Sequence, residues 1–170
     1  MKNRITLSAL TAALLLAVAF PASARLYLGL DAMQWELESR AGTQWEDYAA
    51  RGTVGIRLNR HLGFESRLAS GGEDTAGGVD MKLDWALSTL VRPILPVGHA
   101  TNFYALIGAT GMNFRVNDRG DAAELAASYG LGVEGQIGRL TWVGAEYLVY
   151  SDKENYQVKA ISINLRWQFD

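Results

Sequence analysis

Cysteine is absent from the 170 residues. No disulfide framework, thiolate zinc site or thiol nucleophile is therefore available. Proline is scarce at 3 residues while glycine reaches 18, beside many aromatics; such a balance suits numerous strands with glycine-containing turns better than helices. No strong charge of one sign is present either. The net charge is −2, and Lys and Arg are spread along the chain, so the composition offers no nucleic-acid surface. Linkers, low-complexity tracts and heptads are missing, and the chain is long enough for one domain with a real core.

The long apolar run that does occur lies at the start. Met1 to Arg4 carries positive charge, Ile5 to Phe20 is apolar, and Ala22-Ser23-Ala24 supplies small residues in an A-x-A arrangement. This is the pattern of a secretory signal peptide with Ala22 and Ala24 flanking the cleavage signal; the run is shorter than the ~20 residues that a membrane-spanning helix needs. The mature chain is expected to begin at Arg25, dividing the sequence into residues 1–24 and a domain over 25–170.

Period-two alternation then recurs eight times: Leu26 to Leu37, Tyr48 to Leu58, Leu62 to Ala69, Val79 to Arg92, Phe103 to Phe114, Ala127 to Ile137, Trp142 to Tyr150 and Tyr156 to Phe169. Asn59 to His61 and Gly138 to Leu140 are tight connections, and Pro93 to Thr101 is a longer one. Ser39 to Asp47, Ser70 to Gly78, Arg115 to Leu125 and Ser151 to Asn155 are hydrophilic loops. Turns at one end and loops at the other describe an up-and-down antiparallel meander of eight strands.

The two faces of these strands differ in kind. One carries Leu26, Leu28, Leu30, Val54, Ile56, Phe64, Leu68, Met81, Leu83, Trp85, Leu87, Val91, Phe103, Ile107, Tyr129, Leu131, Val133, Val143, Tyr147, Val149, Ile161, Ile163 and Leu165, without a charge. The other carries Asp31, Arg51, Arg57, Glu65, Arg67, Asp80, Lys82, Asp84, Arg92, Glu134, Glu146 and Arg166, among Gly, Ser, Thr and Ala. Parity alone does not say which face is inside. A lipocalin-like periplasmic ligand binder, or a sandwich, would turn the apolar face in.

Three features favour the opposite arrangement. The apolar residues exceed what a narrow eight-strand interior can hold, whereas small and charged residues fit it and can pair. Glycine is frequent on the charged face, as at Gly29, Gly55 and Gly132, where long side chains need room. Aromatics gather near strand ends: Tyr27, Phe103, Tyr104, Trp142, Trp167 and Phe169 at the short-turn end, and Tyr48, Phe114, Tyr150 and Tyr156 at the loop end. An apolar band between aromatic belts is the pattern of a transmembrane barrel. Its first and last strands must pair, because a bilayer tolerates no open edge.

The ordered segments "LYLGLDA", "RLNRHLGFESRL", "LVRPILP", "NFYALIGATG", "SYGLGVEGQI" and "GAEYLVY", followed by the closing strand, resemble the small eight-stranded outer-membrane β-barrels of the OmpA/OmpX type, the porin-family or opacity-protein-like barrel domain. The resemblance covers the chain from Arg25 onward. It implies the outer membrane of a Gram-negative bacterium, with outer-membrane lipid and lipopolysaccharide as surroundings. It also implies an assembly signal for the barrel-assembly machinery in the last strand, on Tyr156, Ile163, Leu165, Trp167 and Phe169, although Asp170 follows the terminal aromatic.

Enzymes of this size that modify lipid A use a histidine with serine and an acid near the outer rim. His61 and His99 fall in the turns at the opposite end, so no catalysis, cofactor or metal site is expected. The acids of the charged face could be imagined as acid/base machinery, but their matched Arg and Lys neighbours favour a salt-bridge network. Arg119-Gly120-Asp121 is an integrin-type tripeptide of a length common by chance, and "GGEDTAGG" and "NDRGD" are better read as solvated loops than as Ca²⁺ ligands. The expected role is structural or surface-interacting, with an unidentified host or cell-surface partner for the loops; a narrow channel for ions or small solutes is the alternative.

Overall fold

The computed structural model describes residues 24–39, 42–76, 78–116, 121–153 and 156–169. It is all-β. In chain order the strands are β1 (Arg25–Ser39), β2 (Gln44–Asn59), β3 (Leu62–Gly71), β4 (Glu73–Ala76), β5 (Val79–Val97), β6 (Thr101–Val116), β7 (Asp121–Gln136), β8 (Thr141–Asp152) and β9 (Tyr156–Gln168). Successive strands pair antiparallel, except that β3 and β4 both pair with β5, and β1 also pairs with β9, Leu30 opposite Leu165. Past the last rungs, the Phe169 N–H donates to the Leu26 carbonyl at 2.8 Å. The sheet is thus a closed up-and-down transmembrane barrel with eight staves, and no main-chain edge faces lipid at the seam.

Nine strands make eight staves because β4 continues β3. Leu62 pairs with Pro93 and Glu73 with Lys82 in one register, interrupted at Gly72. The segment Ser70 to Gly78, expected as a loop, is therefore mostly strand. Strands also run past their expected ends elsewhere. β1 and β2 are joined by residues 40–43 instead of nine hydrophilic residues, and β5 carries through Pro93 and Pro96 to Val97, leaving a turn at Gly98–Ala100. Gly98 has φ 69°, a conformation that suits glycine. At 15, 16 and 19 residues, β1, β2 and β5 exceed the roughly 9–11 residues a tilted strand needs to cross a bilayer, so the barrel projects beyond it.

Alternation decides which side chains line the lumen. On β1, Tyr27, Asp31, Met33, Trp35 and Leu37 are buried while Leu26, Leu28 and Leu30 are exposed. Outside stand Leu131 and Ile163, 67% and 66% exposed, with Val54, Leu68, Ile107 and Ile161. The outward face is apolar, as expected for a lipid contact.

Two bulges change this parity. Leu83 pairs with Phe114 but Trp85 pairs with Asn113, so Asp84 is an extra residue, and one extra residue turns everything beyond it to the opposite face. Leu83, expected against lipid, is buried in the lumen with Met81 packed beside it. Asp80, Lys82 and Asp84, expected in the lumen, point outward. Asp80 accepts a 2.6 Å hydrogen bond from Thr75 Oγ1, and Asp84 pairs with Arg115 at 3.1 Å. A second shift lies between Val149 and Ser151, and Val149, also expected against lipid, is buried.

The aromatic belts need correction too. Tyr27, Tyr104, Phe114 and Tyr150 are buried inside, Tyr156 packs partly against the interior, and Trp142 lines the short-turn mouth. Outward aromatics are Tyr48, Phe64, Trp85, Phe103, Tyr129, Tyr147 and Phe169. Residues 1–23, including Ala22, lie outside the described residues, as do Arg119, Gly120 and Asp170.

Arginine at Ile163 or Leu131 should cost about 2–4 kcal/mol, because hydrocarbon does not solvate a guanidinium. Arginine at Asp80, on the projecting outer face, should cost almost nothing. Denaturant titration of the three variants in lipid vesicles checks the assignment; equal stability of Ile163→Arg and wild type would reverse it.

Candidate functional site: the closed lumen and its mouth

Eight charged side chains converge in the turn-proximal half of the lumen: Asp31, Arg51, Glu65, Arg67, Arg92, Glu134, Glu146 and Arg166, each no more than 5% exposed. Four acids meet four arginines. They come from β1, β2, β3, β5, β7, β8 and β9, so the cluster ties seven strands together across the barrel. Their positions follow from the ladder. Asp31 sits opposite Arg51, Asn102 opposite Glu134, and Glu146 opposite Ser162.

Glu146 is the centre. Its carboxylate accepts from Arg67 at both nitrogens, 2.6 and 2.9 Å, from Arg51 Nη2 at 2.8 Å and from the Tyr104 hydroxyl at 3.0 Å. Glu65 accepts from the Tyr27 hydroxyl at 2.6 Å and from Arg67 Nε at 2.6 Å, and lies 3.3 Å from Arg92. Nearer the turns, Glu134 accepts from Arg92 at 2.5 Å, Arg166 at 2.8 Å and Asn102 Nδ2 at 2.9 Å. Asp31 binds Arg51 Nε at 2.5 Å, while Arg51 also donates to the Tyr150 hydroxyl and to Ser162. Charge-assisted, partly bidentate bonds of this kind are the strong class of hydrogen bond.

Two inward tyrosines complete the layer. The Arg92 guanidinium lies 3.8 Å from the Tyr104 ring centroid, and Arg166 lies 5.1 Å from it, within cation–π range. Both rings occupy space left open by a glycine. A Cβ at Gly55 would overlap Tyr27, and one at Gly132 would overlap Tyr104. Glycine on the charged face thus makes room, though for tyrosine rings as much as for long charged chains.

The loop-proximal half of the lumen is apolar instead. Met33, Trp35, Leu37, Trp45, Leu83, Met112, Phe114, Val158 and Ala160 form one buried cluster, with Trp35 and Phe114 in tilted contact at 6.1 Å between centroids. Sequence reasoning missed this plug because the face was sorted by its charges. The signal was available: Trp35 and Leu37 share parity with Asp31.

At the short-turn end the lumen opens into a cavity of about 790 Å³, lined by Arg25, Arg57, Arg60, His99, Arg139 and Trp142 among others. Arg57, expected in the charge network, is half-buried in this wall and donates to the Asn59 and Arg60 carbonyls at 3.4 and 3.1 Å. Between cavity and network, Tyr27, Arg57, Arg92, Glu134, Trp142 and Arg166 leave a gap of about 10 Å³, room for about one water. His61 sits in the turn before β3, its Nδ1 3.3 Å from the Ile94 carbonyl. Among the described residues no group of three or more His, Asp or Glu could hold a metal ion.

The outer membrane protein beta-barrel domain family model matches residues 7–169. No curated protein matches the chain. Among solved structures, Neisserial surface protein A (NspA) has a TM-score of 0.68 at 18% identity, covering 85% of this chain and 97% of its own. Ail, the attachment invasion locus protein of Yersinia pestis, in complex with the heparin analogue sucrose octasulfate, has a TM-score of 0.66 at 14% identity, covering 86% and 99%. OprG from Pseudomonas aeruginosa has 0.57 at 12%, covering 89% and 98%. At these identities the structures share the fold, and the match over nearly the whole sequence places the chain in the outer membrane protein beta-barrel domain family.

Proposed function

We propose that this protein is a closed outer-membrane barrel, exported with a signal peptide over residues 1–24, that acts structurally or through its projecting surface rather than by passing solutes or by catalysis. The observation that carries this reading is the four-by-four charge layer. Every charge in it has an opposite partner, the gap beneath it admits about one water, and the loop-proximal half is filled by Trp35, Leu37, Met112 and Phe114. Neither layer offers a continuous water path, and small eight-stranded barrels are filled by side chains.

What remains for interaction is the surface beyond the lipid band. There the outward positions of β1, β4 and β5 carry Glu36, Glu38, Glu73, Asp80 and Asp84, with Lys82, Arg115, Lys153 and Lys159 as counter-charges. Lys159 binds Glu36 at 2.9 Å, and Lys153 binds Glu124 at 2.8 Å. This acid-rich collar disfavours a polyanion of the kind present in the Ail complex. It suits basic partners. Lipid and lipopolysaccharide are the surroundings of the apolar band, and Tyr156, Ile163, Leu165, Trp167 and Phe169 supply the assembly signal.

Two measurements test the closed lumen. The wild-type protein in planar bilayers should show no steady conductance; a large, ohmic current would overturn the reading in favour of a channel. Glu146→Gln should destabilise the refolded barrel by about 3–5 kcal/mol, since removing one partner strands buried guanidinium charge, and it should produce flickering openings. A stability equal to wild type would show that the layer does not hold the barrel together.

A further inference from the structure

The charges of this barrel are segregated along its axis. Acids outnumber bases around the loop end, whereas the described residues at the short-turn end carry Arg25, Arg57, Arg60, Arg139, His61 and His99 and no carboxylate outside the charge layer. All four arginines and His99 line one concave space of about 790 Å³. No described acid lines it. The nearest lumenal carboxylate, Glu134, is already held by Arg92, Arg166 and Asn102. Arg57 donates to two main-chain carbonyls, which hold its guanidinium in the wall of the hollow. The wall also offers amide and indole groups, from Gln136, Gln168 and Trp142.

Arg57, Arg60 and Arg139 bring three guanidinium groups to one hollow, an arrangement that favours entry of an anion, and guanidinium forks match the oxygens of a phosphate bidentately. We propose that this vestibule is a binding site for a phosphate-bearing ligand, with Arg57, Arg60 and Arg139 as the oxyanion contacts. The hollow has room for a group well beyond a single phosphate, such as a phosphorylated small molecule or the headgroup of an anionic phospholipid. It opens at the short-turn end, away from the acid collar. Because its floor is sealed by the charge layer, the site is a dead-end pocket rather than the entrance of a pore.

The test is calorimetric titration of the refolded full-length barrel in zwitterionic detergent with inorganic pyrophosphate. Saturable binding that weakens as salt rises is expected. The exposed pair R60Q/R139Q, and separately R57Q, should weaken it by about tenfold or more through loss of charge-assisted contacts, whereas R115Q, at the other end of the barrel, should leave it unchanged. Heat-modifiable gel mobility verifies that each variant folds, and R60Q/R139Q carries the test should R57Q fail. Repeating the titration in nanodiscs separates the sources. Weaker pyrophosphate binding in discs containing phosphatidylglycerol than in phosphatidylcholine discs identifies a lipid headgroup as the competitor, and equal binding identifies a soluble phosphate ligand. Absence of saturable binding to the wild type, or undiminished binding to R60Q/R139Q, would overturn the proposal.

Discussion

A strand surrounded by hydrocarbon has nowhere to put an unpaired N–H or carbonyl except against another strand. The rest of this molecule follows from that constraint. It forces β1 onto β9, from Tyr27 opposite Gln168 to Ser39 opposite Tyr156. Closing eight staves fixes an interior only wide enough for side chains, and any charge placed there must then find its partner within the barrel. Glu146 meets this requirement by accepting from two arginines and a tyrosine on three other strands, β2, β3 and β6, all far from it in sequence. The network is a consequence of closure, and its geometry in turn ties distant staves together.

Much of this was legible in period two. Leu26, Leu28 and Leu30 against Gly29 and Asp31 assign β1 without ambiguity, and eight of the twelve charges read as lumenal lie in the buried layer. The failures have physical causes. Asp84 is inserted by a bulge, and alternation carries no mark of an insertion, so period two alone puts Asp80 and Lys82 inside and Leu83 outside. Position along the strand suggests aromatic belts, whereas the parity of Tyr27, Tyr104 and Tyr150 with neighbouring lumenal residues sets them among the charges. The hydroxyl explains why that is tolerable: each donates to or accepts from a charged group. The vestibule was invisible because it gathers residues from three separate turns and a strand terminus.

The bulge at Asp84 also marks where the surroundings change. Toward the turns, β5 presents Leu87 and Val91 outward and Arg92 inward; beyond the bulge it presents Asp80 and Lys82 outward and Met81 and Leu83 inward. β1 makes the same exchange without a bulge, from Leu30 outside and Asp31 inside to Glu36 outside and Trp35 inside. Each strand is therefore an inside-out membrane strand at one end and an ordinary water-facing strand at the other. Where lipid gives way to water, the apolar side chains move from the outer face to the core.

This exchange bears on why the membrane half has a charged interior at all. A buried ion-pair layer is weak as a source of stability, since well-packed apolar residues of similar volume often serve as well. In lipid, however, an apolar interior would leave the two faces of every strand chemically equivalent, and a slip by one residue would exchange them at little cost. With Asp31, Arg51, Glu65, Arg67, Arg92, Glu134, Glu146 and Arg166 on one face, the same slip on any stave would drive charge into hydrocarbon, at about 2–4 kcal/mol for a single arginine near the midplane. The layer selects one register and one handedness of facing out of alternatives that apolar packing alone would not distinguish. Beyond the bilayer, water performs that selection, and the interior there is free to be Trp35, Leu37, Met112 and Phe114.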